Sequence, residues 1–368
     1  MKTLLLTIFL TFTIFVSAQV KDEKARDLLD QAIDLMDSGE TLKSIVLLEK
    51  AKEIEPENYI FDYEIGFAYY LSEDYKSALK AYKKTIKYPN VSDQVYQMLG
   101  NLYDINGNAK KALKTHEEGL NIFPDAGNLY LESGNVYLNQ GQYNTALGYY
   151  EKGIEVDPMY PSNYYRAAKL YLGSDQKVWG MVYGETFMNI ERGSKRTAEM
   201  SKLLFKTYQD NISYKEDTVN VNFHSRVINI TTADLKNGNI DKLIESLTNS
   251  LKEDFPGTGY ELTLSITASD SKEINLESLN SIRTNFITNY FADTLHEKFP
   301  IELFNFHKKM IDEGLGNVYN YWLLGMGNEE ALEEWITENR GEWLSFLDWF
   351  RTNSLVLTEE NKFSSSQF

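Results

Sequence analysis

The chain has 368 residues, of which 42% are hydrophobic and 25% charged, and this composition is typical of a globular protein of about two domains. It contains no cysteine, which excludes disulfides, thiolate metal sites and a cysteine nucleophile. The net charge is −17 and no cluster of basic residues is present, so nucleic acid is not an expected partner, because an acidic surface repels phosphate groups.

Residues 1–18 have the pattern of a secretory signal peptide. Lys2 precedes an apolar run at Leu4–Val16, and the small residues Ser17–Ala18 follow. The run is shorter than the about 20 residues of a membrane helix, and no other stretch reaches that length. We therefore expect cleavage before Gln19 and a mature chain without a membrane span. The composition, rich in Asn, Lys and Ile, suggests a bacterium, and hence a periplasmic or secreted protein. An uncleaved N-terminal anchor is the alternative.

Blocks of 34 residues follow one another without a gap through residues 25–194, and they begin at Ala25, Tyr59, Asp93, Gly127 and Pro161. The eighth place of each block holds a small residue, namely Ala32, Gly66, Gly100, Gly134 or Ala168. The twentieth place is small as well, with Ser44, Ala78, Ala112, Ala146 and Gly180. The eleventh place holds Leu35, Tyr69, Tyr103, Tyr137 and Tyr171. Such rows of matching residues indicate an internal repeat.

Each block predicts a pair of antiparallel helices. Two apolar stripes at helical spacing are separated by a turn such as Gln140-Gly141-Gln142. The small residues at the eighth and twentieth places predict the close contact between the two helices of a pair. Prolines predict the ends of the second helices, because proline lacks the N–H group and clashes with the preceding turn. These prolines are Pro56, Pro89, Pro124 and Pro158.

A period of this length with this pattern resembles the tetratricopeptide repeat family, most closely in residues 127–158. The resemblance implies a mainly α fold over residues 19–212, in which five helix pairs stack into a right-handed superhelix. The second half of block five departs from the pattern, with Gly184 at a place where a large residue is usual. A capping helix is expected at residues 195–212. Members of the family bind proteins or peptides, and no cofactor is implied.

In proteins of this family the first helix of each repeat lines a concave groove. The corresponding places in this chain hold aromatic residues, then amides, then a tyrosine and a lysine: Tyr63, Phe67, Tyr70, Gln97, Asn101, Asn135, Tyr165 and Lys169. Side-chain amides pair with peptide groups, so we expect Asn101 and Asn135 to hold a ligand backbone while the aromatic residues accept apolar side chains. The alternative is that Phe67 packs under the helix nearest the signal peptide and that asparagine is common at this place whatever the ligand.

The clamp by which some family members hold a C-terminal carboxylate needs several cations. Only Lys169 and Arg26 are basic among the groove places of this chain. A ligand held by its carboxylate is therefore not expected.

Residues 213–368 lose the period and resemble no family that we recognise. Alternating apolar residues at Thr218–Phe223 and Tyr260–Ile266 predict strands. Amphipathic patterns predict helices at residues 241–255, 276–298, 301–314, 318–326 and 329–350. We expect a mostly helical α+β domain, with a frayed polar tail at residues 362–368.

This second half contains no common catalytic motif, and we assign no catalytic residue and no metal site. Asp293, His296, Glu302 and His307 could bind zinc if their helices converged, but a surface pair of histidines is the simpler expectation. His116 occupies a packing place of block three and is expected to be structural. A further set of apolar residues shares one helical face and is expected in the core, with an exposed aromatic patch as the alternative: Trp343, Phe346, Leu347 and Phe350.

The sequence thus predicts an exported adaptor or scaffold that binds another protein through the concave face of its repeats. An enzyme with its active site in residues 213–368 and repeats that recruit the substrate is the first alternative. A structural component that self-assembles by end-to-end stacking is the second.

Overall fold

The computed structural model describes residues 20–216, 218–224, 254–292 and 294–368, together with the backbone of residues 228–231. These residues form two compact units, one ending at Tyr149 and the other starting at Tyr150. The predicted helix at residues 241–255 lies almost wholly outside the described residues. The predicted boundary between residues 212 and 213 stays a prediction.

Five consecutive helix pairs occupy residues 23–190. They are α1 (Glu23–Asp37) with α2 (Thr41–Ile54), α3 (Tyr59–Leu71) with α4 (Tyr75–Thr85), α5 (Asp93–Ile105) with α6 (Ala109–Leu120), α7 (Gly127–Asn139) with α8 (Tyr143–Val156), and α9 (Pro161–Leu172) with α10 (Lys177–Ile190). Four of the five first helices begin at the first residue of a predicted block. The predicted helical repeat is therefore confirmed.

The turns and ends of these helices follow local sequence. Gly107 and Gly141 adopt φ angles of +73° and +72° in the turns within two pairs, a conformation that glycine adopts without strain. At the start of α4 the Asp74 side chain accepts a hydrogen bond from the Ser77 backbone N–H, as capping residues do. The second helices end before the prolines of the loops, for example α4 before Pro89.

The small residues of the eighth place make room for a large residue of the second helix. A Cβ atom on Gly66 would lie 2.8 Å from the Tyr82 ring, and a Cβ atom on Gly100 would overlap the buried His116 ring. At the twentieth place, a Cβ atom on Gly180 would lie 2.7 Å from Leu172, in the first helix of the same pair. The small residues thus mediate close contact between paired helices, as predicted, and His116 is structural.

The second helix of repeat five departs from the pattern because it is enclosed on all sides. Every residue of α10 from Val178 to Asn189 is buried. At Gly184, an added Cβ atom would lie 2.8 Å from the Met200 sulfur, so the next helix, α11 (Lys195–Asn211), fills the space that a large residue usually takes. A helix is present where the capping helix was predicted, at residues 195–212, and its role as a cap stays a prediction.

A small antiparallel sheet follows, with β1 (Ile212–Lys215), β2 (Thr218–Val221) and β3 (Ile228–Thr231) in the order β1-β2-β3. The remaining described elements are helical: a π-helical segment (Phe255–Leu262), α12 (Thr263–Ala268), α13 (Leu276–Ala292), α14 (Leu295–Lys298), α15 (Glu302–Asp312), α16 (Gly316–Leu324), a 3₁₀ turn (Gly325–Gly327), α17 (Glu329–Glu338) and α18 (Arg340–Thr352). The C-terminal part is thus mostly helical with one small sheet.

Several details differ from the sequence-based predictions. The strand predicted at Tyr260–Ile266 is wrong, since these residues are helical and almost all buried. Alternation needs one face in water, and here both faces are covered. The helix predicted at residues 276–298 is interrupted, with Thr294 at a φ angle of +59°. The helix predicted at residues 329–350 is two helices, α17 and α18.

The tail predicted to be frayed is wrong as well, because it packs on the second compact unit. Phe363 is 1% exposed. The Lys362 ammonium group donates a hydrogen bond of 2.6 Å to the Glu155 carbonyl oxygen, and the Ser365 backbone N–H donates one of 2.8 Å to the Tyr183 hydroxyl. The prediction was based on the polar composition of the segment, which gave no indication that Phe363 is buried.

Candidate functional site

Two of the three predicted amides of repeats three and four, Gln97 and Asn135, belong to a hydrogen-bonded row across two first helices, α5 and α7. Gln97 Nε2 donates to Glu132 Oε1 over 3.0 Å, and Asn135 Nδ2 donates to Glu132 Oε2 over 3.0 Å. Asn128 Nδ2 donates to Gln97 Oε1, also over 3.0 Å. Asn139 Nδ2 donates to Asp104 Oδ2 over 3.2 Å. We call the surface of α5 and α7 that carries these side chains and Asn101 the first-helix face.

Asn101 lies on the same helix as Gln97 and is half-buried. Its side chain has no hydrogen-bond partner among the residues that the structure describes. Both its donor and its acceptor are therefore available to a ligand. Glu132 was not predicted as a site residue, yet it accepts from two of the predicted amides and fixes their orientation.

The predicted aromatic residues of repeat two lie half-buried on α3. The Tyr63 ring meets the buried Tyr82 ring edge-on at 5.4 Å between centroids, and burial raises the pKa of Tyr63. Phe67 and Tyr70 stack with centroids 6.3 Å apart, and Tyr75 lies 5.8 Å from Tyr70. These rings form an apolar lining of which only a part faces solvent.

The last two predicted residues, in repeat five, belong to the second compact unit and already have partners there. The Lys169 ammonium group lies 2.7 Å from a Glu199 carboxylate oxygen, and the Tyr165 hydroxyl donates to the other Glu199 oxygen over 2.6 Å. The hydrogen bond with Glu199 raises the pKa of Lys169 despite its partial burial. Tyr165 itself is buried. Lys169 thus forms an ion pair with Glu199 of α11, and Tyr165 donates to the same carboxylate.

Residues 127–159 match the family model of the tetratricopeptide repeat, and they span the helix pair α7 and α8. This segment is a tetratricopeptide repeat. No curated protein sequence matches the chain.

Solved structures with similar helix arrangements include the following three. A structure described as pilF of Pseudomonas aeruginosa is 19% identical, with 51% of this chain and 85% of that chain covered and a TM-score of 0.43. A tetratricopeptide repeat protein of Thermus thermophilus is 16% identical, with 49% and 98% covered and a TM-score of 0.42. YrrB, described as having an unusual peptide-binding site, is 20% identical, with 45% and 84% covered and a TM-score of 0.33. Nothing about a partner of this chain follows from likenesses of this size.

A buried charged cluster joins the fifth helix pair to the C-terminal helices. Glu185 of α10 accepts from Arg283 over 2.6 Å and from the Tyr319 hydroxyl over 2.8 Å, while His307 Nδ1 lies 3.9 Å away. Glu185, Arg283 and His307 are 4%, 6% and 1% exposed, so a substrate cannot reach them. Burial lowers the pKa of His307 and keeps its ring neutral. We interpret this cluster as structural, and the expectation that His307 lies at the surface was wrong.

The zinc alternative gains no support from the described residues, in which no group of three or more His, Asp or Glu side chains could hold a metal ion. His296 stacks on Phe291 at 4.7 Å between centroids, and Asp293 lies outside the described residues. The aromatic face of α18 is divided, with Phe346 buried and Leu347 41% exposed. Among the described helices none is long and apolar enough to cross a membrane.

A depression of about 890 Å³ lies elsewhere, at the loops that follow the first two helix pairs. None of the predicted groove residues lines it. Its Glu55 carboxylate already accepts from the backbone N–H groups of Lys21 and Asp22. We therefore place the candidate site at the first-helix face.

Proposed function

We propose that this chain is an exported adaptor, a scaffold that binds a peptide segment of another protein on its first-helix face. The observation that carries the proposal is the row of amides and acids across α5 and α7, beside the unpaired Asn101 side chain. Side-chain amides suit the backbone of an extended or helical peptide, because an amide contains both a donor and an acceptor. The aromatic residues Tyr63, Phe67 and Tyr70 would add contacts for apolar side chains.

Pre-organisation supports the choice of this face over other surfaces. Glu132 holds Gln97 and Asn135 in place by hydrogen bonds, so these side chains lose little conformational entropy when a ligand arrives. The proposal assigns no catalytic residue, since the described Glu–His cluster of this chain is closed to a substrate.

Export is the second part of the proposal, and it rests on the signal-peptide pattern of residues 1–18. A bacterial cell would then place the mature chain, starting at Gln19, in the periplasm or outside the cell. N-terminal sequencing of the protein recovered from the cell envelope tests this directly. A mature protein that still starts at Met1 would contradict cleavage.

The binding function is tested by capture of partners from the native cell envelope with the full mature chain. The double variant Asn101→Ala and Asn135→Ala removes two amides of the first-helix face. We expect it to lose the partners that wild type retains, measured by quantitative mass spectrometry.

The matched control is the double variant Asn121→Ala and Asn144→Ala, which removes two exposed amides outside this face. The control should capture the same partners as wild type. If the Asn101 and Asn135 variant also retained every partner, the first-helix face would not be the binding site.

A further inference from the structure

The first helices of repeats two, three and four differ in charge from the second helices of repeats two and three. The first helices α3, α5 and α7 contain no lysine or arginine and five acids: Asp62, Glu64, Asp93, Asp104 and Glu132. The second helices α4 and α6 contain seven lysines: Lys76, Lys80, Lys83, Lys84, Lys110, Lys111 and Lys114. Asp62 and Glu64 of α3 are buried, and Asp62 is paired with Lys52 and Lys84. Asp93, Asp104 and Glu132 of α5 and α7 are partly exposed, and they give this surface a negative potential that favours cations.

The lysines of the second helices do not neutralise the acids of the first-helix face. Lys83 and Lys111 lie 5.4 and 5.6 Å from the centre of the Tyr103 ring. Lys84 pairs with Asp62, and Lys114 pairs with Glu118 on its own helix. Among the described residues, the acids of the first-helix face have no cationic partner.

The carboxylate of Glu132 is fixed without being neutralised. Each of its oxygens accepts one hydrogen bond from a neutral amide, of Gln97 or of Asn135. A carboxylate has about four lone-pair sites, so capacity for further donors remains. Asp104 is in the same state, with the Asn139 amide as its partner.

Repeat two has an acid at the same place of the repeat as Glu132, but this acid is buried. Glu64 occupies the sixth place of its repeat, as Glu132 does in repeat four. It is 4% exposed, and its carboxyl group has no hydrogen bond or ion pair among the described residues. Burial raises its pKa to about 8. A carboxyl group with this pKa is neutral at pH 7 and adds no charge to the first helices.

We propose that the first-helix face recognises a cationic peptide, whose lysine or arginine side chain pairs with Glu132, with Asp104 as the second acid of the same face. This inference rests on the proposed function and adds the chemistry of the partner to it. The Gln97 and Asn135 amides hold the carboxylate in place, and Asn101 supplies the contacts to the peptide backbone next to the cation. Arginine matches a carboxylate with two parallel hydrogen bonds, so it is the preferred cation.

The test uses a displayed library of random short peptides, selected against the full mature chain. We expect the selected peptides to be enriched in arginine and lysine relative to the starting library. The best peptide is then synthesised and titrated by fluorescence anisotropy against wild type, Glu132→Gln and Glu117→Gln. Glu117 is an exposed acid of the second helix α6, so its variant changes the net charge of the chain by the same amount.

Glu132→Gln should weaken binding by about tenfold or more, since truncating a hydrogen-bonded charge pair at an interface has effects of this size. Glu117→Gln should leave the affinity unchanged. The charge-swap variant Glu132→Lys should bind a peptide in which glutamate replaces the cation, which keeps the test decisive if the Gln variant binds through its amide. Circular dichroism checks that each variant is folded.

Two results separate this inference from the proposed function. Selected peptides that are neutral or acidic, yet lose affinity with Asn101→Ala and Asn135→Ala, would overturn the cation and leave the peptide site in place. Peptides that bind wild type, Glu132→Gln and the asparagine variant equally would overturn both. Equal losses in Glu132→Gln and Glu117→Gln would show attraction by net charge alone and would also overturn the inference.

Discussion

The close packing of Gly100 against His116 makes a prediction about the sign of a stability change. In a helix, Gly→Ala normally stabilises by about 0.5–1 kcal/mol, because alanine loses less backbone entropy on folding. At position 100 the new methyl group would overlap the imidazole of His116, which is 0% exposed. Overpacking a core costs about 1–3 kcal/mol. We therefore expect Gly100→Ala to destabilise by about 1–2 kcal/mol.

Gly148 is the matched control, since it lies inside the helix α8 and an added Cβ atom would meet nothing within 4 Å. Gly148→Ala should stabilise by about 0.5–1 kcal/mol. A third chain, with Gly100→Ala placed on His116→Ala, removes the obstructing ring. In that background the alanine should stabilise as it does at position 148.

Urea unfolding followed by circular dichroism measures these differences in the free energy of unfolding. The opposite signs of Gly100→Ala and Gly148→Ala are the decisive result. If Gly100→Ala were as stabilising as Gly148→Ala, the eighth-place glycines would not be required by the second helix, and the packing described for the repeats would be wrong.

Three other changes test the structure elsewhere. Glu64→Gln should stabilise the protein by about 4 kcal/mol above pH 8 and have little effect below pH 4.5. Burial raises the pKa of Glu64 from 4.5 to about 8, so the wild type loses stability as the pH rises between these two values. Urea unfolding below pH 4.5 and above pH 8 checks this. Arg283→Met leaves the buried Glu185 without its cation and should lower the free energy of unfolding by about 3–5 kcal/mol. Lys206→Met breaks an exposed ion pair and should lower it by about 0–1 kcal/mol. Thermal unfolding compares the two variants, and equal effects would contradict the burial of the cluster. Phe363→Ala removes a buried ring and should lower the free energy of unfolding by about 3–5 kcal/mol. It should also expose residues 354–368 to proteolysis, which limited digestion detects. Unchanged protection would mean that this ring does not hold the tail in place.

The repeats could be predicted because their determinants are local. Glycine and alanine recur at fixed places, prolines end the second helices, and the first helices start where the blocks start, as at Tyr59 and Asp93. The C-terminal part depends on distant partners. Tyr260 packs on Phe286 at 5.0 Å between centroids and lies in a helix, although its surroundings alternate like a strand. Periodicity does not distinguish helix from strand in a short segment that is buried on every side.

The candidate site was predicted in part for the same reason. The repeat register located Asn101 and Asn135 on first helices, and their side chains are accessible there. The register did not indicate that Lys169 is occupied, because its partner Glu199 lies on a helix beyond the repeats. Glu132 was missed, although the lack of lysine and arginine on three first helices is visible in the sequence and could have drawn attention to it.

The burial of α10 limits how far the fifth repeat can be treated as an interchangeable module. Shortening the chain after residue 212 would leave Glu185 without Arg283 and would open the surroundings of Trp179, whose ring packs 5.1 Å from Phe255 between centroids. Fragments for biophysical work on the repeats would therefore need either the C-terminal helices or polar replacements along α10. Grafting extra repeats would be tolerated better ahead of this helix than after it, since a repeat added behind α10 would have to displace α11.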